Sequence, residues 1–149
     1  MRVVAQRCTA ARVVVDGEVT GEIGRGLVAF VGCGRGDDDA TVAAMLDKVL
    51  GLRVFADDAG KMARCLTDLG LGLLVVSQFT LYGDVRRGRR PSFDAALPPD
   101  AARRLLARFA DGARARGVEV GEGRFGADMR VLVENDGPVT VLIDSQRAF

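Results

Sequence analysis

Four short stretches hold the residue types that could do chemistry. The first is SQFT, Ser77 to Thr80. The run before it stays apolar through Val76 and then offers Ser77, Gln78 and Thr80, so a strand is ending at a polar surface. Backbone N–H groups at such an end can bind an oxyanion. Serine and threonine also close strands for turn chemistry alone, and spacing does not separate the two readings. The second is RRGRRPSF, Arg86 to Phe93: four arginines around a glycine, followed by one aromatic ring. That pattern suits a phosphate backbone with one base to stack, or equally a solvated basic loop. The third is GRFGADMRV, Gly123 to Val131. Its glycines suggest a bend, Asp128 has no carboxylate partner at helical spacing, and Met129 suits a core as well as a ligand contact. The fourth is NDGP, Asn135 to Pro138. Asp136-Gly137 between apolar runs reads as a tight hairpin turn, because glycine accepts the positive φ such turns need. Pro138 then falls where the return strand should donate ladder hydrogen bonds, and it has no N–H.

Histidine is absent from all 149 residues. Imidazole is the usual base for a serine or cysteine nucleophile and the commonest transition-metal ligand. An enzyme built from this chain works through carboxylates, backbone electrostatics or groups on its substrate. The three cysteines, Cys8, Cys33 and Cys65, are odd in number and form no CxxC pair, which disfavours both a disulfide framework and a zinc knuckle. Neither a metal nor a cofactor is expected.

The elements that must position these residues follow from periodicity. RVVAQRC and ARVVVDGEVTGEI are rich in β-branched residues, and Asp16-Gly17 gives a hairpin signal. GLVAFVGC reads as a strand buried on both faces. Asp37 to Asp39 supply capping acids for a helix whose buried face is Val42, Met45, Leu46 and Val49, ended by Gly51. LRVFADDAGKM is a short strand and a polar turn. Pro98 and Pro99 open a second helix with Ala102, Leu105, Leu106, Phe109 and Ala113 inward and arginines 103, 104, 108, 114 and 116 on the remainder. Strands return from Val118. The expected fold is a single α+β domain over residues 1–149, with a mainly antiparallel sheet or barrel-like core covered by two helices. Nearly half the residues are apolar and the formal net charge is +1, so neither disorder nor a global basic field is expected. No apolar run approaches the roughly 20 residues of a membrane span, and MRVVAQRCTA lacks the apolar core of a signal peptide. A soluble cytoplasmic protein without membrane or DNA partners is the expectation.

Taken together, SQFTLYGD, GRRPSF, FGADM and NDGPVT, in this order after an N-terminal AQR, closely resemble the D-aminoacyl-tRNA deacylase family, first known as D-tyrosyl-tRNA(Tyr) deacylases. The likeness runs from Met1 to about Ser145. The resemblance implies hydrolysis of the ester between a D-amino acid and the terminal adenosine of tRNA, with no cofactor. It implies a homodimer whose site lies between subunits, with the aminoacyl-tRNA 3′ end as substrate. Ser77, Gln78, Phe79 and Thr80 would form the catalytic turn, with Phe79 and Thr80 offering N–H groups to the ester carbonyl. Gly137-Pro138 would be a cis dipeptide inserted into the partner's pocket, held by Arg7. Met129 would line that pocket and Phe93 would contact substrate. L-substrates would be rejected by backbone overlap, and glycyl-tRNA, including glycine mischarged on tRNA(Ala), would not be fully excluded. The ribose 2′-OH would assist attack by water, with Thr80 as a nucleophile the rival mechanism. Ala63, Cys65, Gly83 and Cys8 depart from the family's usual residues, none of them inside SQFT or NDGPVT. A non-catalytic tRNA acceptor-end binder and a structural dimer are the alternatives.

Overall fold

One strand organises the structure, a computed structural model that describes residues 1–148. β1 (Arg2–Val15) pairs antiparallel with β3 (Gly26–Gly32) along residues 2–8 and with β2 (Glu18–Ile23) along residues 11–15. Its other edge pairs antiparallel with β8 (Arg130–Asp144) from Arg2 to Val14. RVVAQRC and the ARVVV that opens the second stretch are therefore one strand, and EVTGEI is β2. β1 and β2 join through Asp16 and Gly17, at φ 50° and 81°. Two successive positive φ values give the turn hand that matches strand twist.

The remaining pairings of the main sheet are parallel. β3 pairs with β6 (Gly72–Ser77), and β6 with β7 (Val120–Glu122), each in parallel register. The expected mainly antiparallel sheet is present, since β1 pairs antiparallel with β2, β3 and β8, but the two parallel pairings make it mixed, in the order β2-β1-β3-β6-β7 with β8 added on β1. Parallel neighbours need a long crossover. Helix α1 (Asp39–Leu50) lies in the connection from β3 to β6, and α2 (Pro99–Ala115) in that from β6 to β7. A two-residue strand β4 (Phe55–Ala56) and β5 (Met62–Arg64) form a small hairpin within the first connection.

Helix starts follow local chemistry. The Asp38 carboxylate accepts from the Thr41 N–H at 2.8 Å, and the Thr41 hydroxyl faces the Asp38 N–H, a reciprocal cap. α2 begins with Pro99 in its first turn, where the missing N–H costs nothing. Its buried face, Ala102, Leu105, Leu106, Phe109, Ala110 and Ala113, is the predicted stripe with Ala110 added.

Strand alternation splits the core in two. Leu27, Ala29, Val31, Leu73 and Val75 face the helices and pack with Leu46, Leu105 and Phe109. Val28, Leu74 and Val76 face the other way, meeting Val13, Val15 and Ile23 inside the curled sheet. The curl nearly closes where β2 meets β7. The Thr20 hydroxyl donates to Glu122 O at 3.3 Å, and a Cβ on Gly21 would overlap Glu122 O and N. Among the described residues no helix is long and apolar enough to cross a membrane.

The close approach at Gly21 makes a test. Gly21→Ala forces the β2–β7 seam apart, whereas Gly24, three residues on, has open space around it. Overpacking of this kind costs about 1–3 kcal/mol. In thermal unfolding, Gly21→Ala should melt several degrees below the parent and Gly24→Ala within about a degree of it. Equal melting of the two variants would contradict closure at this seam.

Candidate active site

β6 stops pairing at Ser77, which lies opposite Val31. The Gln78 N–H still donates to Val31 O at 2.8 Å, but Gln78 itself, at φ −146° and ψ 71°, turns the chain out of the ladder. Phe79–Tyr82 then make one 3-10 turn. Its bonds come from Leu81 N–H to Gln78 O at 3.2 Å and from Gly83 N–H to Thr80 O at 2.9 Å. The N–H groups of Phe79 and Thr80 head the turn, where a helical turn has no partner of its own to offer. The Gln78 side-chain amide donates to the Thr80 hydroxyl, and among the described residues no carboxylate or lysine is bonded to that hydroxyl. Thr80 therefore has no adjacent base to activate it.

A cavity of about 590 Å³ opens beside this turn. It brings together Ser77, Gln78, Phe79, Phe93 and Met129 from three parts of the chain. Phe79 and Phe93 meet edge to face, centroids 4.9 Å apart. Met129 is seated by Gly123: a Cβ there would lie 2.6 Å from its Sδ. Walls not singled out as site residues by spacing include Cys33, Arg35, Leu106, Phe125 and Ala127. Phe125 belongs to FGADM, and its only further signal is the Arg103 guanidinium 4.6 Å over its ring, an approach from α2 that no local pattern encodes. The surroundings of Cys33 disfavour its thiolate. Burial, with the Asp37 charge nearby, pushes its thiol up to about 11.

Thr80, next to the lining residue Phe79, does not itself line the cavity, and Arg7, Gly137 and Pro138 are absent from the lining as well. Arg7 lies opposite Leu27 on β3, whereas Ser77 lies opposite Val31. Four residues of strand, about 13 Å, separate the two levels of the sheet. The three residues are instead together at β8, and here the expected hairpin is corrected. β8 does not turn back at Asp136-Gly137. It runs past β1 in one direction, with Cys8 opposite Asn135 and Gln6 opposite Thr140. Two steps on β1 match five on β8, so residues 136–139 bulge out of the ladder. Asn135 Nδ2 bridges the gap, donating to Arg7 O at 2.9 Å and to Val139 O at 3.1 Å. Arg7 Nη1 donates to Val54 O at 2.5 Å, and its Nε lies 3.0 Å from Asp136 Oδ2, an ion-pair distance without hydrogen-bond alignment. Gly137 has φ 117°, and the Gly137–Pro138 bond is cis. The bulge thus resolves the misplaced proline: Pro138 sits outside the ladder and owes it no N–H.

Among the described residues no group of three His, Cys, Asp or Glu is placed to hold a metal ion. Comparison with known proteins is consistent along the chain. The family described as D-Tyr-tRNA(Tyr) deacylase matches residues 4–144. A D-aminoacyl-tRNA deacylase of Sorangium cellulosum is 61% identical, with 100% of both chains covered. A solved structure titled c-Myc DNA Unwinding Element Binding Protein superposes with a TM-score of 0.91 at 38% identity, covering 97% of this chain and 98% of that one. Another, titled as a probable eukaryotic D-amino acid tRNA deacylase, has a TM-score of 0.82 at 20% identity, covering 95% and 97%, a likeness of fold.

The thiol environments give a direct check. Cys8 is raised to about 11 by burial, as Cys33 is, while Cys65 lies half-buried near the surface. At pH 8 only about a thousandth of either buried thiol is thiolate. Iodoacetamide on the native chain should label Cys65 first and leave Cys8 and Cys33 intact by peptide mass mapping. Equal labelling of all three would contradict the packing around the cavity.

Proposed function

Since the chain belongs to the D-Tyr-tRNA(Tyr) deacylase family, an ester hydrolase acting on D-aminoacyl-tRNA, we propose that its cavity is half of an active site and that a second copy's turn supplies the other half. The observation that carries this reading is the separation within one chain. Ser77, Gln78 and Phe79 line a cavity, while Gly137-Pro138 stands out of the ladder and away from it, next to the Arg7–Asp136 pair. β8 supports the same reading from another side: among the described residues its outer edge has no strand partner, and its Leu132 and Leu142 are exposed.

In the proposed homodimer, the 3′ end of aminoacyl-tRNA enters the cavity of one subunit. The ester carbonyl points at the Phe79 and Thr80 N–H groups, with Phe93 and Met129 as apolar walls. The partner's Gly137 and Pro138 carbonyls accept hydrogen bonds from the α-ammonium. With ammonium and ester both fixed, only one direction is open for the α-substituent. A D side chain points to solvent, an L side chain meets backbone, and backbone has no rotamer by which to yield. Glycine has no side chain to reject. Water attacks the carbonyl carbon, the oxyanion rests on the two N–H groups, and the C–O3′ bond breaks as O3′ takes a proton. The ribose 2′-OH, adjacent to the ester, assists the proton transfers. This chemistry needs no histidine, because the ester is already activated and the protein supplies position and electrostatics. It is a task for the cytoplasm, where charged tRNA is found.

Turnover of D-, L- and glycyl-tRNA tests the reading. D-aminoacyl-tRNA should be hydrolysed, glycyl-tRNA measurably so, and L-aminoacyl-tRNA left intact; equal protection of D and L esters would instead indicate a binder without catalysis. Thr80→Val should keep most of kcat, because the backbone N–H remains. Replacing the terminal 2′-OH by hydrogen should lower kcat by about 100-fold or more, the scale of one transition-state hydrogen bond removed. An acyl-enzyme trapped on Thr80 would overturn the mechanism in favour of covalent catalysis.

A further inference from the structure

Two groups of arginines in this chain differ in what already neutralises them. On α2 and its C-cap, Arg104, Arg108, Arg114 and Arg116 are spent on carboxylates, while Arg103 lies over the Phe125 ring. Arg104 and Arg108 lie 3.0 and 3.3 Å from Asp39, Arg114 meets Asp111 and Glu122, and Arg116 meets Asp47. The second set sits on residues 84–92. Asp84 and Ser92 bond each other's backbone at 2.8 and 2.9 Å, closing a small hairpin. Within it Arg86 forms a two-point pair with Asp84, Nη2 to Oδ2 at 2.6 Å and Nε to Oδ1 at 2.9 Å, which holds that carboxyl far below the ordinary carboxylate range. Arg87, Arg89 and Arg90 follow, all exposed, and among the described residues none of the three has a carboxylate within ion-pair distance.

The hairpin is joined to the cavity at both stems. Its first stem continues from the Phe79–Tyr82 turn, and its second runs into Phe93, which lines the cavity and touches Phe79. Gly83 packs on that ring closely enough that a Cβ would lie 3.2 Å from Phe93 Cε1. Three cations without an ion-pair partner are therefore at most three residues, about 11 Å of extended chain, from the nearer stem, and both stems adjoin the cavity. Arg86, already paired, shapes the hairpin and leaves its neighbours free. The net charge of +1 makes this local concentration, and not the whole protein, the place where a polyanion is attracted.

We propose that Arg87, Arg89 and Arg90 form a phosphate-docking hairpin that takes the single-stranded backbone of the tRNA 3′ end immediately upstream of the terminal adenosine. This rests on the reading of the cavity as the site of the aminoacyl ester. The hairpin supplies affinity without sequence readout, since phosphate contacts position and do not specify. The helix arginines take no part.

Two substrates and one binding measurement test it: D-aminoacyl-tRNA, the 3′-O-D-aminoacyl ester of adenosine, which carries no phosphate, and uncharged tRNA. The triple variant Arg87→Ala, Arg89→Ala, Arg90→Ala should raise KM for the tRNA about tenfold with kcat within about twofold. Its log(kcat/KM) should fall less steeply with log salt, by about 2 units when three cations no longer pair with phosphates of a single strand. Turnover of the adenosine ester should not change, and Arg104→Ala with Arg108→Ala should resemble the parent on both substrates. An unchanged salt slope, an equal loss on the adenosine ester, or the same loss from the α2 pair would overturn the proposal. If the parent hydrolyses neither substrate, the catalytic reading fails. The Kd of uncharged tRNA then decides the hairpin alone, a shallower salt slope in the triple variant supporting it and identical slopes refuting it.

Discussion

Everything about the candidate site turns on how a backbone that must satisfy its hydrogen bonds accommodates residues 136–139. A strand interior tolerates neither a proline nor a set of surplus residues, because each unpaired buried N–H or C=O is costly. The solution is one side-chain amide. Asn135 Nδ2 bonds both Arg7 O and Val139 O and so bridges the ladder across the gap. With the ladder closed beneath it, the chain above is free to leave the sheet. Arg7 then fixes the departing segment through Asp136, on a side chain that is itself anchored to Val54 O. A rigid projection results, built on the longest pair of strands in the structure.

The cavity has a different origin. It forms where β6 runs out of partner and the chain turns through Gln78 into a single 3-10 turn, over helix-facing side chains of the core. Strand ends of this kind expose N–H groups without strain. The projection and the cavity belong to different levels of the same sheet, and a rigid sheet cannot fold one onto the other. Two copies related by symmetry can satisfy both at once, each projection meeting the other's cavity.

Local chemistry was legible in the sequence wherever one residue decides one turn. Asp16-Gly17, the Asp38 cap and Pro99 mark their elements in the places where the structure has them. The parallel pairs β3–β6 and β6–β7 were not legible, because their partners are separated by whole helices and strand pairing leaves no local trace. Asp136-Gly137 misled for a related reason. It carries the signal of a reversing turn, and only the register of β8 against β1 reveals that the strand continues. At the site, the switch from Val76 to Ser77 pointed to a polar rim, and Met129 and Phe93 join it there. Phe125 and Leu106 enter from elements whose relative placement is set by core packing alone. That Arg7 belongs with Gly137 came from resemblance. Their pairing spans most of the chain, and spacing says nothing at that range.

The central claim is that cavity and turn act in trans, and subunit mixing addresses it most directly. One chain would carry Gly137→Ala, which spoils the turn by setting a Cβ 2.8 Å from Val139 Cγ2. The other would carry Phe79→Pro, which removes one N–H at a position where proline's φ fits the start of a helical turn. Each homodimer should be inactive on D-aminoacyl-tRNA. After unfolding together and refolding at equal ratio, mixed dimers hold one intact cavity facing one intact turn, and activity should return to about a quarter of the parent's. If the mixture stays as inactive as either parent variant while mixed dimers are demonstrably present, cavity and turn belong to the same chain and the account fails.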